Sequence, residues 1–174
     1  MVHTAPRATT TTDYRAPGAI LLVSCYELGR QPLNLAFPVA YLREAGYAPA
    51  AVDTAVDRLS DAAIRDARLV AISVPMHTAL RLGIQVAEQV KLLNPDAQLC
   101  FYGLYAWLNA DYLLREVADY VIGGEFEAPL LRLIQHLERG ESGPVEGVSD
   151  RSTRAEPALE RISFITPDRS MLPG

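Results

Sequence analysis

Short, almost wholly apolar segments that alternate with helical patterns constrain the fold of this chain more than any other feature. Residues 19–24 (AILLVS) and 69–74 (LVAISV) are the clearest of five such segments. A strand with apolar residues on both faces is typical of a parallel sheet that helices cover on both sides. Five strand–helix units between residues 19 and 140 suit an open doubly wound sheet and are too few for an eight-stranded barrel. We therefore predict an α/β fold with a five-stranded parallel sheet in the flavodoxin-like (Rossmann-like) order 2-1-3-4-5.

The boundaries of the elements follow from periodicity and from capping residues. Leu82, Val86 and Val90 recur at helical spacing, and Asn94-Pro95 ends that helix. Ser60 is a suitable N-cap for a shorter helix. The predicted strands cover residues 19–24, 47–52, 69–74, 97–102 and 120–122. The predicted helices cover residues 32–46, 60–67, 78–93, 108–117 and 129–137.

Composition divides the chain into three parts. Residues 1–18 are rich in Thr, Ala and Pro without an apolar period, which predicts a flexible tail. Residues 19–140 are expected to form the α/β domain. Residues 141–174 contain four of the 12 prolines and one short apolar stretch, so we interpret them as a linker or docking arm.

Charge and composition exclude several classes of function. The formal net charge is −5 and Lys91 is the only lysine, so the chain has no basic tract for nucleic acid. That lysine lies within a predicted helix, and no phosphate-binding P-loop motif is present. No apolar run is long enough to cross a bilayer, and the N-terminal residues lack the apolar core of a signal peptide. We expect a cytoplasmic protein without membrane or nucleic-acid partners.

Ligands of open α/β sheets bind beyond the carboxyl ends of the strands, near the point where the strand order reverses. Four loops at this edge are rich in Gly, Tyr, His and Pro; they comprise residues 25–31, 75–78, 103–107 and 123–126. Neither a dinucleotide-binding G-x-G-x-x-G nor a hydrolase G-x-S-x-G motif follows a predicted strand. The first strand ends in Ser24-Cys25 and not in paired aspartates, which argues against a phosphoacceptor domain.

Reactive side chains in these loops leave alternatives open. His77 is either a ligand contact or proton carrier, or a loop histidine that helps to cap a helix. Cys25 is either a reactive thiol or a buried packing residue, while Cys100 lies within a strand. Glu125 and Glu127 lie at the start of the last predicted helix, where their charge complements the helix dipole. Two cysteines are too few for a disulfide framework or a four-cysteine metal site.

Five segments, in order along the chain, resemble the cobalamin-binding domain of radical SAM enzymes. Residues 31–47 (QPLNLAFPVAYLREAGY) resemble that family's P-L-G-L-A and Y-L-R-E-A-G-H stretches, and residues 69–73 (LVAIS) resemble its third strand. Residues 91–96 (KLLNPD) and 119–127 (DYVIGGEFE) are similar to its I-K-x-x-N-P-D and D-Y-V-V-x-G-E-G-E motifs. Residues 165–173 (ITPDRSMLP) resemble the segment that leads into the radical SAM barrel.

The resemblance implies a bound cobalamin whose cobalt does the chemistry while the protein orients it. Related cobalamin domains carry D-x-H-x-x-G with a cobalt-ligating histidine, where this chain has residues 25–31 (CYELGRQ). The implied form is therefore base-off without a histidine ligand, with the dimethylbenzimidazole tail in the sheet crevice. The family's paired glycine after the fourth strand is Gly103-Leu104 here, and a leucine there narrows the expected channel. No catalytic or metal-ligating residue is assigned. The residues expected to contact the cofactor are Tyr26, Glu27, Leu28, Gln31, Ser73, His77, Thr78, Gly103, Leu104, Tyr105, Gly123, Gly124 and Glu125.

The radical SAM signature C-x-x-x-C-x-x-C is absent, so we expect no iron–sulfur cluster in this chain and no complete radical SAM enzyme. We expect a truncated module or a separate subunit that serves a radical SAM barrel in methyl transfer or a related reaction. One alternative is a degenerate cobalamin-binding fold that acts as a protein-docking or regulatory domain. Another is a self-sufficient enzyme that uses His77 or Cys25 on a small ligand. The sequence identifies no substrate.

Overall fold

The computed structural model describes residues 13–159 and 165–172, which form strands and helices in alternation. The strands are β1 (Ile20–Ser24), β2 (Ala50–Asp53), β3 (Leu69–Ser73), β4 (Gln98–Tyr102), β5 (Tyr120–Ile122) and β6 (Val148–Ser149). The helices are α1 (Leu33–Glu44), α2 (Asp61–Asp66), α3 (His77–Leu93), α4 (Leu104–Leu108), α5 (Ala110–Glu116) and α6 (Glu127–Glu138). None of the described helices is long and apolar enough to span a membrane.

The strands form one sheet in the order β2-β1-β3-β4-β5-β6. Strands β1 to β5 are parallel, which confirms the predicted α/β fold and the order 2-1-3-4-5. The predicted count of five strands is wrong, because β6 pairs antiparallel with β5 through Val148 and Ser149. Two residues are too few to show a strand period, and they lie in a stretch whose glycines and prolines favour a loop.

The predicted elements are recovered with shifted ends, except in one region. Ser60 caps α2 as expected, since its hydroxyl accepts a hydrogen bond of 3.1 Å from the Ala63 amide. The helix predicted over residues 108–117 is α5, and an additional short helix, α4, forms where residues 103–107 were predicted to be a loop. The Asn109 side-chain amide donates to the carbonyl oxygen of Tyr105 at 2.8 Å and so ends α4.

Helices cover both faces of the sheet, as the apolar strands require. One core cluster combines the sheet with α1 and α6, and the other combines it with α2, α3, α4 and α5. Side chains alternate between the faces along each strand. The register places Ser24 opposite Ser73 and Ser73 opposite Tyr102, so these three last strand residues share the α1–α6 face.

Segments on either side of the predicted domain also pack on the α1–α6 face. Tyr14 and Leu172 are buried in its core cluster. The Asp168 amide donates to the Ala36 carbonyl oxygen at 3.0 Å, and the Asp168 carboxylate pairs with Arg43. Residues 1–12 of the predicted tail and residues 160–164 and 173–174 of the predicted arm lie outside the described residues. The division at residues 18 and 140 stays a prediction.

Candidate functional site

The strand order reverses between β1 and β3, and this point defines the candidate site. The chain leaves β1 towards α1 on one face and leaves β3 towards α3 on the other. Two connections that diverge in this way open a crevice at the carboxyl ends of the two strands, where ligands of such sheets bind. The loops after β4 and β5 adjoin the same edge of the sheet.

Two serine hydroxyls lie at the bottom of this crevice. Ser24 ends β1 and Ser73 ends β3, and the two residues are register partners. Each is 1% exposed, and neither Oγ has a hydrogen-bond partner within the described part of the chain. A buried hydroxyl without a partner costs about 1–3 kcal/mol. The crevice therefore has a polar floor that the protein itself leaves unsatisfied.

Tyr102 lies on the same face of the sheet as these serines, next to Ser73 in the register. It ends β4 and is fully buried, and its hydroxyl donates a hydrogen bond of 2.7 Å to the carbonyl oxygen of Asn34. Its ring packs on Phe126 with the centroids 4.7 Å apart. Burial raises the pKa of Tyr102 well above its ordinary value, and the nearby Ser73 hydroxyl opposes this shift without making a hydrogen bond of normal geometry. The phenol is neutral at physiological pH.

Two carboxyl groups lie around Tyr102 and add to the rise in its pKa. Glu27 follows β1, and burial raises its pKa, although the amides of Leu33 and Asn34 partly oppose this by hydrogen bonding. Glu127 begins α6 and is 6% exposed, and burial likewise raises its pKa. Its Oε2 has no partner in the described structure. Two carboxyl groups with limited exposure therefore lie beside the Tyr102 phenol.

The loop after β1 projects into solvent from the same edge. Leu28 has a positive φ of 54° and is 66% exposed, and the following Gly29 also has a positive φ. A leucine in the left-handed region is uncommon and is typical of functional loops. Beside the loop lies a cavity of about 350 Å³. Its lining residues are Glu27, Gly29, Arg30, Gln31, Pro32, Asp53, Ala55 and Val56.

The turn after β4 depends on Gly103. This residue has a φ of 105°, and a Cβ there would lie 3.1 Å from the carbonyl oxygen of Val74. A glycine therefore allows β4 to turn into α4 close to the end of β3. Leu104 follows with 62% of its surface exposed, so its side chain lies outside the crevice. The buried side chain at this end of β4 is that of Tyr102, and not that of the leucine expected to narrow the channel.

A segment from beyond β6, residues 150–159, covers the loop after β5. The Glu125 amide donates to the carbonyl oxygen of Ala158 at 2.7 Å, and a parallel bridge joins Gly124 to Ala158. Gly123 is buried against Trp107, and a Cβ at Gly123 would lie 2.6 Å from the indole. Three of the predicted cofactor contacts, Gly123, Gly124 and Glu125, thus already contact other parts of the chain.

The remaining reactive positions differ in accessibility. Cys25 is 2% exposed, and burial raises its pKa to about 11, so the thiol is protonated at neutral pH and is a weak nucleophile. His77 and Thr78 begin α3 on the exposed side of the edge. Among the described residues, no group of three or more His, Cys, Asp or Glu side chains is arranged to hold a metal ion.

The structure therefore places the predicted contacts at one edge but divides them between buried and exposed positions. Leu28, His77, Thr78, Leu104, Gly124 and Glu125 are exposed, whereas Ser73, Gly103 and Gly123 are buried, and Tyr26, Glu27, Gln31 and Tyr105 are intermediate. Sequence reasoning missed Ser24, Asn34, Tyr102 and Phe126 as parts of the site. Ser24 and Tyr102 had a usable signal, because each ends an apolar strand in the same phase as Ser73.

No protein-family model matches the chain, and no curated protein is similar enough in sequence to count as a match. Among solved structures, the chain is similar to TsrM, a radical S-adenosylmethionine methyltransferase from Kitasatospora setae solved with its tryptophan substrate and a SAM analogue. The TM-score is 0.65 at 17% identity, over 81% of this chain and 30% of that chain. A response regulator receiver protein from Sinorhizobium medicae has a TM-score of 0.46 at 18% identity, over 71% of this chain and 95% of that one. The chain spans about 30% of the TsrM chain, and this likeness concerns the fold.

Proposed function

We propose that this chain is a corrinoid-binding module that serves a radical SAM enzyme of the methyltransferase type. The observation that carries the proposal is the convergence of separate family-like segments at one edge of the sheet. Residues 31–36 lie at the start of α1, Ser73 ends β3, and residues 123–127 follow β5. Segments far apart in sequence meet where an α/β sheet binds its ligand.

The structural similarity supports the same class of enzyme from a separate direction. TsrM is a radical SAM methyltransferase, and the fold shared with it covers 81% of this chain. Identity over the shared region is only 17%, so the comparison adds a likeness of fold to the resemblance of the sequence motifs. Their agreement supports a role beside radical SAM chemistry.

The described edge fits a broad, largely apolar ligand. Large apolar side chains are exposed after β1, after β2 and after β4, although isolated exposed leucines are common on protein surfaces. These side chains are Leu28 at 66%, Leu33 at 41%, Val56 at 65% and Leu104 at 62% exposure. Exposed apolar side chains on neighbouring loops are typical of a binding surface. When bound, a corrinoid supplies a cobalt centre that carries a methyl group.

The residues of this chain would hold and orient the macrocycle. The loop of residues 25–31 contains no histidine, so it offers no imidazole ligand for cobalt from below. The apolar side chains of Leu28 and Leu104 would contact the ring, and they would exclude water from its protein-facing side.

The radical SAM barrel would be supplied by another domain or subunit. Cys25 and Cys100 are both buried and free, and they lie 75 positions apart, so they do not form a cluster-binding motif. We propose that residues 141–174 contribute to docking with that barrel. Residues 150–159 of this segment lie at the loop after β5, beside the candidate site, and this position supports the proposal.

The proposal is tested by titrating the purified chain with hydroxocobalamin, methylcobalamin and cobinamide, followed by gel filtration. We expect colour to stay with the protein for at least one corrinoid. Leu104→Asp should weaken binding about tenfold, or ~1.4 kcal/mol, because it places a charge under the ring. Leu92→Asp is the matched control, since Leu92 is 82% exposed at the far end of α3. Colourless protein with all three corrinoids would overturn the proposal and favour the docking-domain alternative.

A further inference from the structure

We infer that Tyr102 excludes a nucleotide tail from the crevice, so that this site prefers corrinoids without a nucleotide base, such as cobinamide, over cobalamin. The inference rests on the proposed function and adds the ligand class and the residue that selects it. It departs from the expectation that the dimethylbenzimidazole tail of a base-off cobalamin enters the crevice.

The position of Tyr102 in the sheet supports this inference. Tyr102, Ser73 and Ser24 are successive register partners across β4, β3 and β1, so their side chains project from the same face. Neighbouring strands lie about 4.8 Å apart. The Tyr102 hydroxyl nevertheless reaches Asn34 in the first turn of α1, which follows β1. The phenol therefore extends along the sheet over the ends of the two strands that border the crevice.

Several contacts hold the Tyr102 side chain in this position. The hydroxyl donates to a backbone oxygen at 2.7 Å, the ring packs on Phe126 at 4.7 Å, and the residue has no exposed surface. A tail that entered the crevice would have to break the hydrogen bond and move the ring into solvent. An occupied pocket of this kind lowers affinity because part of the binding free energy is lost in opening it.

The two serines beside the Tyr102 ring also support the inference. Ser24 Oγ and Ser73 Oγ are both buried and lack hydrogen-bond partners. If the Tyr102 ring were absent, two small side chains with unsatisfied hydroxyls would line an open slot at the switch point. A polar heterocycle could then satisfy them, so removal of Tyr102 should create affinity for a nucleotide tail and not merely damage the site.

Because the crevice is closed, the site should distinguish corrinoids that carry a nucleotide base from those that lack one. A base that stays on cobalt would keep the tail beneath the macrocycle, on the side that the exposed Leu28 would contact under the proposed function. A base that leaves cobalt needs a pocket, and Tyr102 occupies the one at the switch point. Cobinamide has the same ring and cobalt but lacks the base, so it avoids both conflicts.

The test is a pair of absorbance titrations of the whole chain, with aquocobinamide and with hydroxocobalamin. The wild-type chain should bind cobinamide at least about tenfold more tightly than cobalamin. Tyr102→Ala should reduce that ratio about tenfold through a gain in cobalamin affinity. Tyr102→Phe keeps the ring but loses the hydrogen bond to Asn34, so it should keep most of the wild-type ratio. Circular dichroism verifies that each variant is folded, and Tyr102→Leu replaces the alanine variant if that one unfolds.

The outcomes separate the inference from the proposed function. Wild-type protein that binds cobalamin as tightly as cobinamide, or more tightly, overturns the inference and leaves the corrinoid function standing. A wild-type preference for cobinamide that survives in folded Tyr102→Ala removes Tyr102 as its cause. If wild-type protein binds neither corrinoid, the proposed function fails, and the inference fails with it.

Discussion

The indole nitrogen of Trp107 donates a hydrogen bond of 3.2 Å to the carbonyl oxygen of Ala155. This bond ties α4 to the segment of residues 150–159. The Arg154 guanidinium reinforces it, since it lies 5.4 Å from the indole centroid and donates to the Trp107 carbonyl oxygen at 2.7 Å. The segment is therefore attached both to α4 and, through Ala158, to the loop that follows β5.

Gly124→Ala should detach this segment locally. Gly124 has a φ of 69°, and a Cβ there would collide with the Ala158 carbonyl group. We expect faster hydrogen exchange at the Glu125 and Ala158 amides and a loss of about 1–3 kcal/mol in unfolding free energy. Gly140→Ala is the control, because Gly140 also has a positive φ of 63° but has open space at the Cβ position. Equal exchange in the two variants would contradict the attachment.

Serine-to-alanine changes at two positions should have opposite effects on stability. Ser73→Ala removes a buried hydroxyl without a partner, so the unfolding free energy should stay equal or rise by up to about 1 kcal/mol. Ser60→Ala removes the cap of α2, whose hydroxyl accepts from Ala63, and should cost about 1 kcal/mol. Urea unfolding of both variants measures the difference. A larger loss for Ser73→Ala than for Ser60→Ala would show that Ser73 is satisfied in solution.

Asn94→Ala should destabilise the fold more than an ordinary surface change. The Asn94 side-chain amide donates to three carbonyl oxygens at the end of α2, at 2.8, 3.2 and 2.8 Å, in Ile64, Arg65 and Ala67. We expect a loss of about 1–3 kcal/mol in urea unfolding, because these carbonyl groups lose their donor. Asn109→Ala breaks one such bond and should cost less. The prediction is wrong if the two variants unfold at the same urea concentration.

Glu127 should make stability depend on pH. Burial raises the pKa of Glu127 above its ordinary value of 4.5, so the folded protein binds this proton more tightly than the unfolded chain does. The protonated Glu127 carboxyl contributes fully to the unfolding free energy when the pH is below the pKa of this group in the unfolded chain. This contribution is lost as the pH rises through the pKa that the group has in the folded protein. Glu127→Gln should therefore gain stability relative to wild type between about pH 4 and pH 7. Glu88→Gln, at an exposed position, is the control. If the difference in unfolding free energy between Glu127→Gln and wild type is the same at both pH values, Glu127 is not the source of the pH dependence.

The fold was predictable from sequence because its strands are apolar on both faces. Residues 19–24 and 69–74 leave little choice but a buried parallel strand, and the order 2-1-3-4-5 follows from the preferred doubly wound arrangement. Helix α4 was not predicted, because its five residues directly follow the turn at Gly103 in a stretch that was predicted to be a loop. Strand β6 escaped notice because pairing with β5, and not its own two-residue sequence, defines it.

Sequence periodicity brought the predicted contact residues to one edge of the sheet, but the packing inside that edge was not predicted. Loop positions follow from strand ends, which sequence periodicity provides. The direction of Tyr102 depends on its partner Asn34, 68 positions away, and no local pattern encodes such a contact. The contact at Gly124 likewise comes from Ala158, in a segment that was predicted to be a linker or docking arm.

Strand β6 has a consequence for how this sheet behaves beside other chains. An edge strand of a sheet presents unpaired amide and carbonyl groups, which can pair with strands of neighbouring molecules. By pairing with Val121 and Ile122, β6 shields β5 and presents only two residues of its own backbone. The four-residue β2 is the rim on the opposite side. Both rims are thus short, which disfavours sheet extension between molecules and the aggregation that follows from it.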